Sequence, residues 1–169
     1  MQVSKGVEWA AHACVLLAAL PPERALSTEA LAEFHEVPIA YLAKQMQALS
    51  RAGLVRSVRG AAGGYQLARA AGEISLWDIT AAIEGTTPAF RCTEIRQNGP
   101  CGAPKDACTR PCGIAASFFR AEAAFRDVLG AMTIADMLVD AADGYTHAQA
   151  ERLAEWLGEA SSRPGGGAS

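Results

Sequence analysis

Between Ser27 and Arg69 the hydrophobic period changes from helical to alternating, and that succession limits the fold more than any other feature of the chain. Ser27 is a helix N-cap in front of Thr28 to His35, and Glu29 sits in the first turn, where the helix dipole favours an acid. Pro38 suits the first turn of a second helix. There Ile39, Leu42, Met46 and Leu49 recur at spacings of three and four until Gly53 closes the pattern. Leu54-Val-Arg-Ser-Val-Arg59 then alternates apolar and polar residues, Gly60-Ala-Ala-Gly-Gly64 turns, and Tyr65-Gln-Leu-Ala-Arg69 alternates again. Two short helices followed directly by a hairpin predict a winged helix-turn-helix.

Charge distribution gives this unit a partner. The 169-residue chain carries a net charge of −3, yet from Pro38 to Gly72 it has Lys44, Arg51, Arg56, Arg59 and Arg69 and no acid. A basic island in an acidic protein marks a local polyanion surface. In a winged helix it implies double-stranded DNA, the second helix entering the major groove and the wing lying on the backbone. Tyr41, Lys44, Gln45 and Arg51 on the helix and Arg56 and Arg59 on the wing are the candidate contacts.

Outside this unit, Val7 to about Leu20 reads as an apolar helix stopped by Pro21-Pro22, and Ile74 to Glu84 as another, with Ser75 as cap and Gly85 as end. Residues 86–112 show no sustained period, and a loop of that length inside a compact chain is usually functional. Then Ile114, Phe118, Ala121, Phe125, Val128 and Met132 follow at intervals of four and three, a heptad-like seam suited to a second copy of the same helix. The expected organisation is mainly α with a small β-hairpin. It comprises a winged-helix domain over 1–85, a cysteine-rich loop over 86–112, a long dimerisation helix with one further amphipathic segment over 113–160, and a disordered tail over 161–169. No apolar run approaches the ~20 residues that span a bilayer, and the N-terminus does not resemble a signal peptide, so a cytoplasmic homodimer is expected.

Four of the five cysteines, Cys92, Cys101, Cys108 and Cys112, fall in the loop, with eight, six and three residues between them. Paired CxxC knuckles typical of structural zinc are missing from this spacing, so zinc is possible but not favoured; irregular thiolates on a long loop also suit an iron-sulfur cluster. Lys105 and Arg110 beside them favour the ligating thiolate form. On the first helix, Glu8 and His12 are four residues apart and share a face. Such a pair is ordinarily a solvated surface pair, but the helix around it is almost wholly apolar. Cys14 reads as a small core residue.

Several of these segments resemble the Rrf family of bacterial iron-sulfur winged-helix regulators over roughly residues 1–140. The resemblance rests on Tyr41-Leu-Ala-Lys44 running to Ala52-Gly-Leu-Val55, on Gly63-Gly-Tyr-Gln-Leu-Ala-Arg69, on the cysteine loop, and on Thr133-Ile-Ala-Asp136. It implies a homodimer whose DNA affinity follows the state of a cluster in the loop. The chain departs from the usual three evenly spaced cysteines by a longer interval from Cys92 to Cys112 and the extra Cys101. Gly6-Val-Glu8-Trp-Ala-Ala-His12, Phe90-Arg-Cys92-Thr-Glu-Ile-Arg-Gln97 and Cys108-Thr-Arg-Pro-Cys112 are similar to a redox-sensing branch of the family. That similarity implies a [2Fe-2S] cluster with two cysteines from one subunit and Glu8 and His12 from the other. Cys108 and Cys112 are the expected thiolates, with Cys92 as the alternative. A thiol-disulfide or zinc-containing winged-helix regulator is the competing expectation. An enzyme is not expected, because no nucleophile, base and orienting group occur as a set.

Overall fold

The computed structural model describes residues 3–60 and 63–163. Seven helices and one hairpin follow in the order α1 (Lys5–Ala18), α2 (Thr28–His35), α3 (Ile39–Arg51), β1 (Val55–Val58), β2 (Gly64–Leu67), α4 (Leu76–Glu84), α5 (Gly113–Ala131), α6 (Ile134–Asp143) and α7 (His147–Ala160). Single 3-10 turns lie at Ala71–Glu73, Ile95–Gln97 and Lys105–Ala107.

α1 is the central helix. It buries Val7, Ala10, Ala13, Cys14, Leu16 and Leu17, and it packs against α3, α4 and α6. Small residues at 10, 13 and 14 let those helices approach closely. Around it Leu26, Leu31, Leu42, Met46, Leu49, Leu54, Ile74, Ile79 and Ile134 are fully buried. Truncating one of these leucines to alanine costs about 2–5 kcal/mol, because the cavity left behind adds to the lost transfer energy.

The expected caps form. Ser27 Oγ accepts the amide of Ala30, and Ser75 forms a reciprocal capping box with Asp78. Pro38 stands one position earlier than expected, at the N-cap of α3, where its extended backbone leads into the helix. The two strands pair antiparallel with Val55 opposite Leu67 and Arg56 opposite Gln66. Tyr65 pairs in turn with Leu26, so the hairpin is stitched to the segment before α2. A Cβ on Gly64 would collide with the Leu26 carbonyl, so only glycine permits this approach.

The C-terminal region differs from the single amphipathic segment expected after the long helix. Gly144-Tyr145-Thr146 breaks it into α6 and α7, and Thr146 caps α7 in a box with Gln149. Both helices return to the winged-helix core, where Ile134, Leu157 and Ala160 join the cluster around α1. α5, by contrast, packs against α4 and adds no residue to that cluster. The start of the expected tail is also ordered: Ser161 is buried and Arg163 pairs with Glu33 at 3.0 Å. Residues 164–169, the remainder of that tail, lie outside the described residues, as do Ala61 and Ala62 of the hairpin turn.

Candidate nucleic-acid interface and cysteine loop

α3 presents Tyr41, Lys44, Gln47 and Arg51 to solvent and buries Leu42, Gln45, Met46 and Leu49. Gln45, a candidate base contact, is on the wrong side: its side-chain amide lies over Gly6 of α1, where there is no Cβ to exclude it. Gln47 takes its place on the exposed face. The signal was its spacing of three from Lys44 and four from Arg51. Tyr41 stays 64% exposed while the edge of its ring meets Trp9 of α1, centroids 6.2 Å apart.

On the wing, Arg59 and Arg69 are exposed. Arg56 is exposed as well, but part of its guanidinium is engaged within the hairpin. Its Nε and Nη2 donate to Gln66 Oε1 at 3.2 and 3.1 Å, and Gln66 Nε2 donates to the carbonyls of Pro22 and Arg24. Arg56 thus stiffens the hairpin's polar face and keeps only part of its guanidinium for a phosphate.

The cysteine loop is tied down at two points. Phe90 stacks on Phe118 of α5 at 4.6 Å and meets Phe119 edge-on. Arg96 forms a two-point ion pair with Glu94 and donates from Nη2 to the Arg110 carbonyl at 2.8 Å, joining the middle of the loop to its C-terminal end. Hydrogen bonds from Arg96 hold the Glu94 carboxyl below its ordinary pKa. The Arg96 guanidinium is raised above its own, first by that bond, and the thiols of Cys108 and Cys112 add to the effect. Arg96 is thus a cation within electrostatic reach of both sulfurs, on a segment whose Glu94 has a left-handed backbone (φ 53°). No local spacing marks Arg96 for this role, because the carbonyl it reaches lies far along the chain.

Cys112 is the N-cap of α5, its Sγ accepting the Ala115 amide at 3.5 Å. Cys108 and Cys112 are half-buried, and Cys92 and Cys101 are exposed. Glu8 and His12 are both exposed on α1. Behind them the ring of His12 lies 5.5 Å from that of His35, whose pKa is lowered, first by burial and then by the neighbouring imidazole, against a backbone hydrogen bond at His12. Among the described residues no three His, Cys, Asp or Glu side chains converge within one protomer. Cys14 is fully buried in the core, and burial raises its thiol pKa to about 12.

The model of the Rrf2 family, described as an iron-dependent transcriptional regulator, matches residues 3–140. The chain belongs to the Rrf2 family. Its members are DNA-binding transcription regulators rather than enzymes, and their winged helix is the fold described above. Bacillus subtilis YwgB, named as an HTH-type transcriptional regulator, is 36% identical over 98 residues, 58% of this chain and 63% of YwgB. The match thus spans under two thirds of that relative's length. Among solved structures, T. potens IscR superposes with a TM-score of 0.65 at 28% identity, covering 89% of this chain and 96% of IscR. The oxidized form of Staphylococcus aureus CymR gives 0.62 at 28% identity, covering 86% and 98%. No helix among the described residues is long and apolar enough to cross a membrane.

Proposed function

We propose that this Rrf2 regulator is a cytoplasmic homodimer that senses redox state through a [2Fe-2S] cluster. Cys108 and Cys112 of one protomer and Glu8 and His12 of the other would hold it, with Cys92 as the alternative thiolate. The observation that carries this reading is the split donor set. Two half-buried thiols lie at and just before the N-terminus of α5 with the Arg96 guanidinium within electrostatic reach, an exposed Glu–His pair stands on α1, and among the described residues neither half completes a four-ligand site in one protomer.

The donor chemistry suits an iron-sulfur centre, which takes thiolates and, less often, imidazole. When bound, the cluster supplies one-electron redox chemistry. Cys112 would be positioned by the first turn of α5 and Cys108 by the loop that Arg96 closes onto the Arg110 carbonyl. Arg96 offsets negative charge on the sulfurs. His12, ligating as a neutral imidazole, leaves the ligand shell less negative than a fourth anionic donor would. The apolar face of α5 supports the second protomer: Ile114, Phe118 and Val128 are 70%, 52% and 60% exposed. Ligands shared across that seam would link an electron to the spacing of two α3 helices on DNA.

The competing reading, a thiol-disulfide or zinc regulator, draws support from the exposed Cys92 and Cys101 and from the likeness to oxidized CymR. Anaerobic purification separates the two. A coloured protein with equal iron and sulfide, in which Glu8→Ala and His12→Ala each alter the visible spectrum, supports the cluster; nitrogen coupling in the reduced state's paramagnetic resonance should vanish in His12→Ala. A colourless protein with zinc or no metal overturns it. Loading in Cys108→Ala combined with failure in Cys92→Ala moves the thiolate assignment to Cys92 and Cys112.

A further inference from the structure

α1, α2, α6 and α7 line a half-open cavity of about 360 Å³, within the range of roughly 300–1,000 Å³ typical of small-molecule sites. Leu16, Phe34, Leu138 and Leu153 give it apolar walls, and Ala142 and Ala154 leave the space between α6 and α7 unfilled. Among the described residues that line it, none is Lys, Arg, Asp or Glu.

Three polar side chains, His12, His35 and Tyr145, interrupt the apolar wall, and of these only His35 carries a buried atom without a partner among the described residues. Nε2 of His35 is buried and has no hydrogen-bond partner among the described residues, an arrangement that costs about 1–3 kcal/mol when nothing satisfies it. Native structures seldom keep such an atom without a reason, and here it belongs to a residue lining a cavity of ligand size.

We propose that this cavity binds a neutral small molecule of the phenol or naphthol class, its one- or two-ring body against the apolar walls and its hydroxyl paired with Nε2 of His35. A hydroxyl both donates and accepts, so it satisfies that nitrogen in either tautomer. A carboxylate or ammonium would give up its hydration with no Lys, Arg, Asp or Glu in the described lining to offset the loss. The site needs neither the cysteine loop nor a cluster, and it meets the redox reading only at His12, which lines it and is the imidazole proposed above as a cluster ligand. It lies behind α2, the helix that precedes α3 in the helix-turn-helix.

Calorimetric titration of the full-length, cluster-free protein with 2-naphthol tests the site. Saturable binding of one molecule per protomer is expected, with a Kd below ~1 mM. His35→Phe should weaken it by about tenfold or more, as expected for losing one buried hydrogen bond. Ala154→Phe and, independently, Ala142→Leu fill the cavity and should abolish binding while the Tm is retained. Charged 2-naphthoate should bind at least about tenfold more weakly, because its carboxylate meets no Lys or Arg. The proposal is overturned if 2-naphthol shows no saturable binding, if both cavity-filling variants that keep the wild-type Tm bind it as wild type does, or if 2-naphthoate binds as tightly.

Discussion

The N-cap residues of α4 and α6, Ser75 and Thr133, lie side by side in an antiparallel bridge. Leu76 N–H donates to the Met132 carbonyl and Ile134 N–H to that of Ile74, both at 2.9 Å. Each cap also closes a box with the acid three residues on, Asp78 and Asp136. This clasp anchors the far end of α5 to the winged-helix core, while Phe90 and the Cys112 cap hold its near end. The helix proposed above to carry the dimer seam is therefore tied at its far end to the domain that carries α3 and at its near end to the cysteine loop.

Loosening the clasp should show in stability. Ser75→Ala removes the acceptor for the Asp78 amide and should lower the unfolding free energy by about 1 kcal/mol, the usual cost of a lost cap, measured by urea denaturation. The Thr133 hydroxyl and amide hold the Asp136 carboxyl below its ordinary value of 3.8. A depressed folded-state pKa contributes stability that is present above the unfolded value and lost as pH falls through the folded one. The difference in stability between wild type and Asp136→Asn should therefore be constant near neutrality and shrink below about pH 4.

DNA binding should separate the exposed from the buried positions of α3. Lys44→Ala and Arg59→Ala are each expected to weaken operator binding and to flatten its salt dependence, by about one unit of slope for each phosphate the missing cation would have neutralised. Gln47→Ala should change affinity without changing Tm. Gln45→Ala should lower Tm, because its side chain packs over Gly6. A Gln45 variant with wild-type Tm and impaired DNA binding would reverse the assignment of the two glutamines.

The split between these glutamines shows where the sequence was legible. The helix-turn-helix and wing could be read because their signals are local: Ser27 and Ser75 cap, Gly53, with a left-handed backbone, closes a helix, and two short strands flank a glycine-rich turn. Gln45 could not be placed, because its burial depends on a glycine in another helix. The break before α7 was present as Thr146 and Gln149 at capping-box spacing, but it was hidden inside a continuous amphipathic run. The cysteine loop was recognised by composition. Its internal order depends on Arg96 reaching the Arg110 carbonyl, a contact that no local period encodes.

The dimer prediction uses a seam residue the monomer does not need. Val128 is 60% exposed, whereas Phe118 also supports the loop through Phe90. Val128→Glu should give a folded monomer by sedimentation, since a charge on each side of the seam faces its like in an apolar interface. It should lose the chromophore together with the dimer. A monomer that retains the full cluster would place all ligands in one chain.

The last prediction separates the core thiol from the loop thiols. Cys14 is fully buried with its pKa raised to about 12, and Cys92 and Cys101 are exposed. Reactivity follows the accessible thiolate. Iodoacetamide at pH 8 should therefore label loop cysteines of the native, cluster-free protein and reach Cys14 only in denaturant, as peptide mass mapping would show. The same shift has a stability consequence. Because the folded pKa lies above the ordinary 9.0, the contribution of Cys14 is complete below pH 9 and declines as pH rises toward 12, where the unfolded chain ionises first. Cys14→Ala should remove that part of the alkaline loss and leave a small cavity beside Ala13 and Leu17, so it should be less stable than wild type at pH 7 and closer to it at pH 11. Labelling of Cys14 in the native state at a rate matching Cys101 would show that α1 opens, contradicting its place at the centre of the fold.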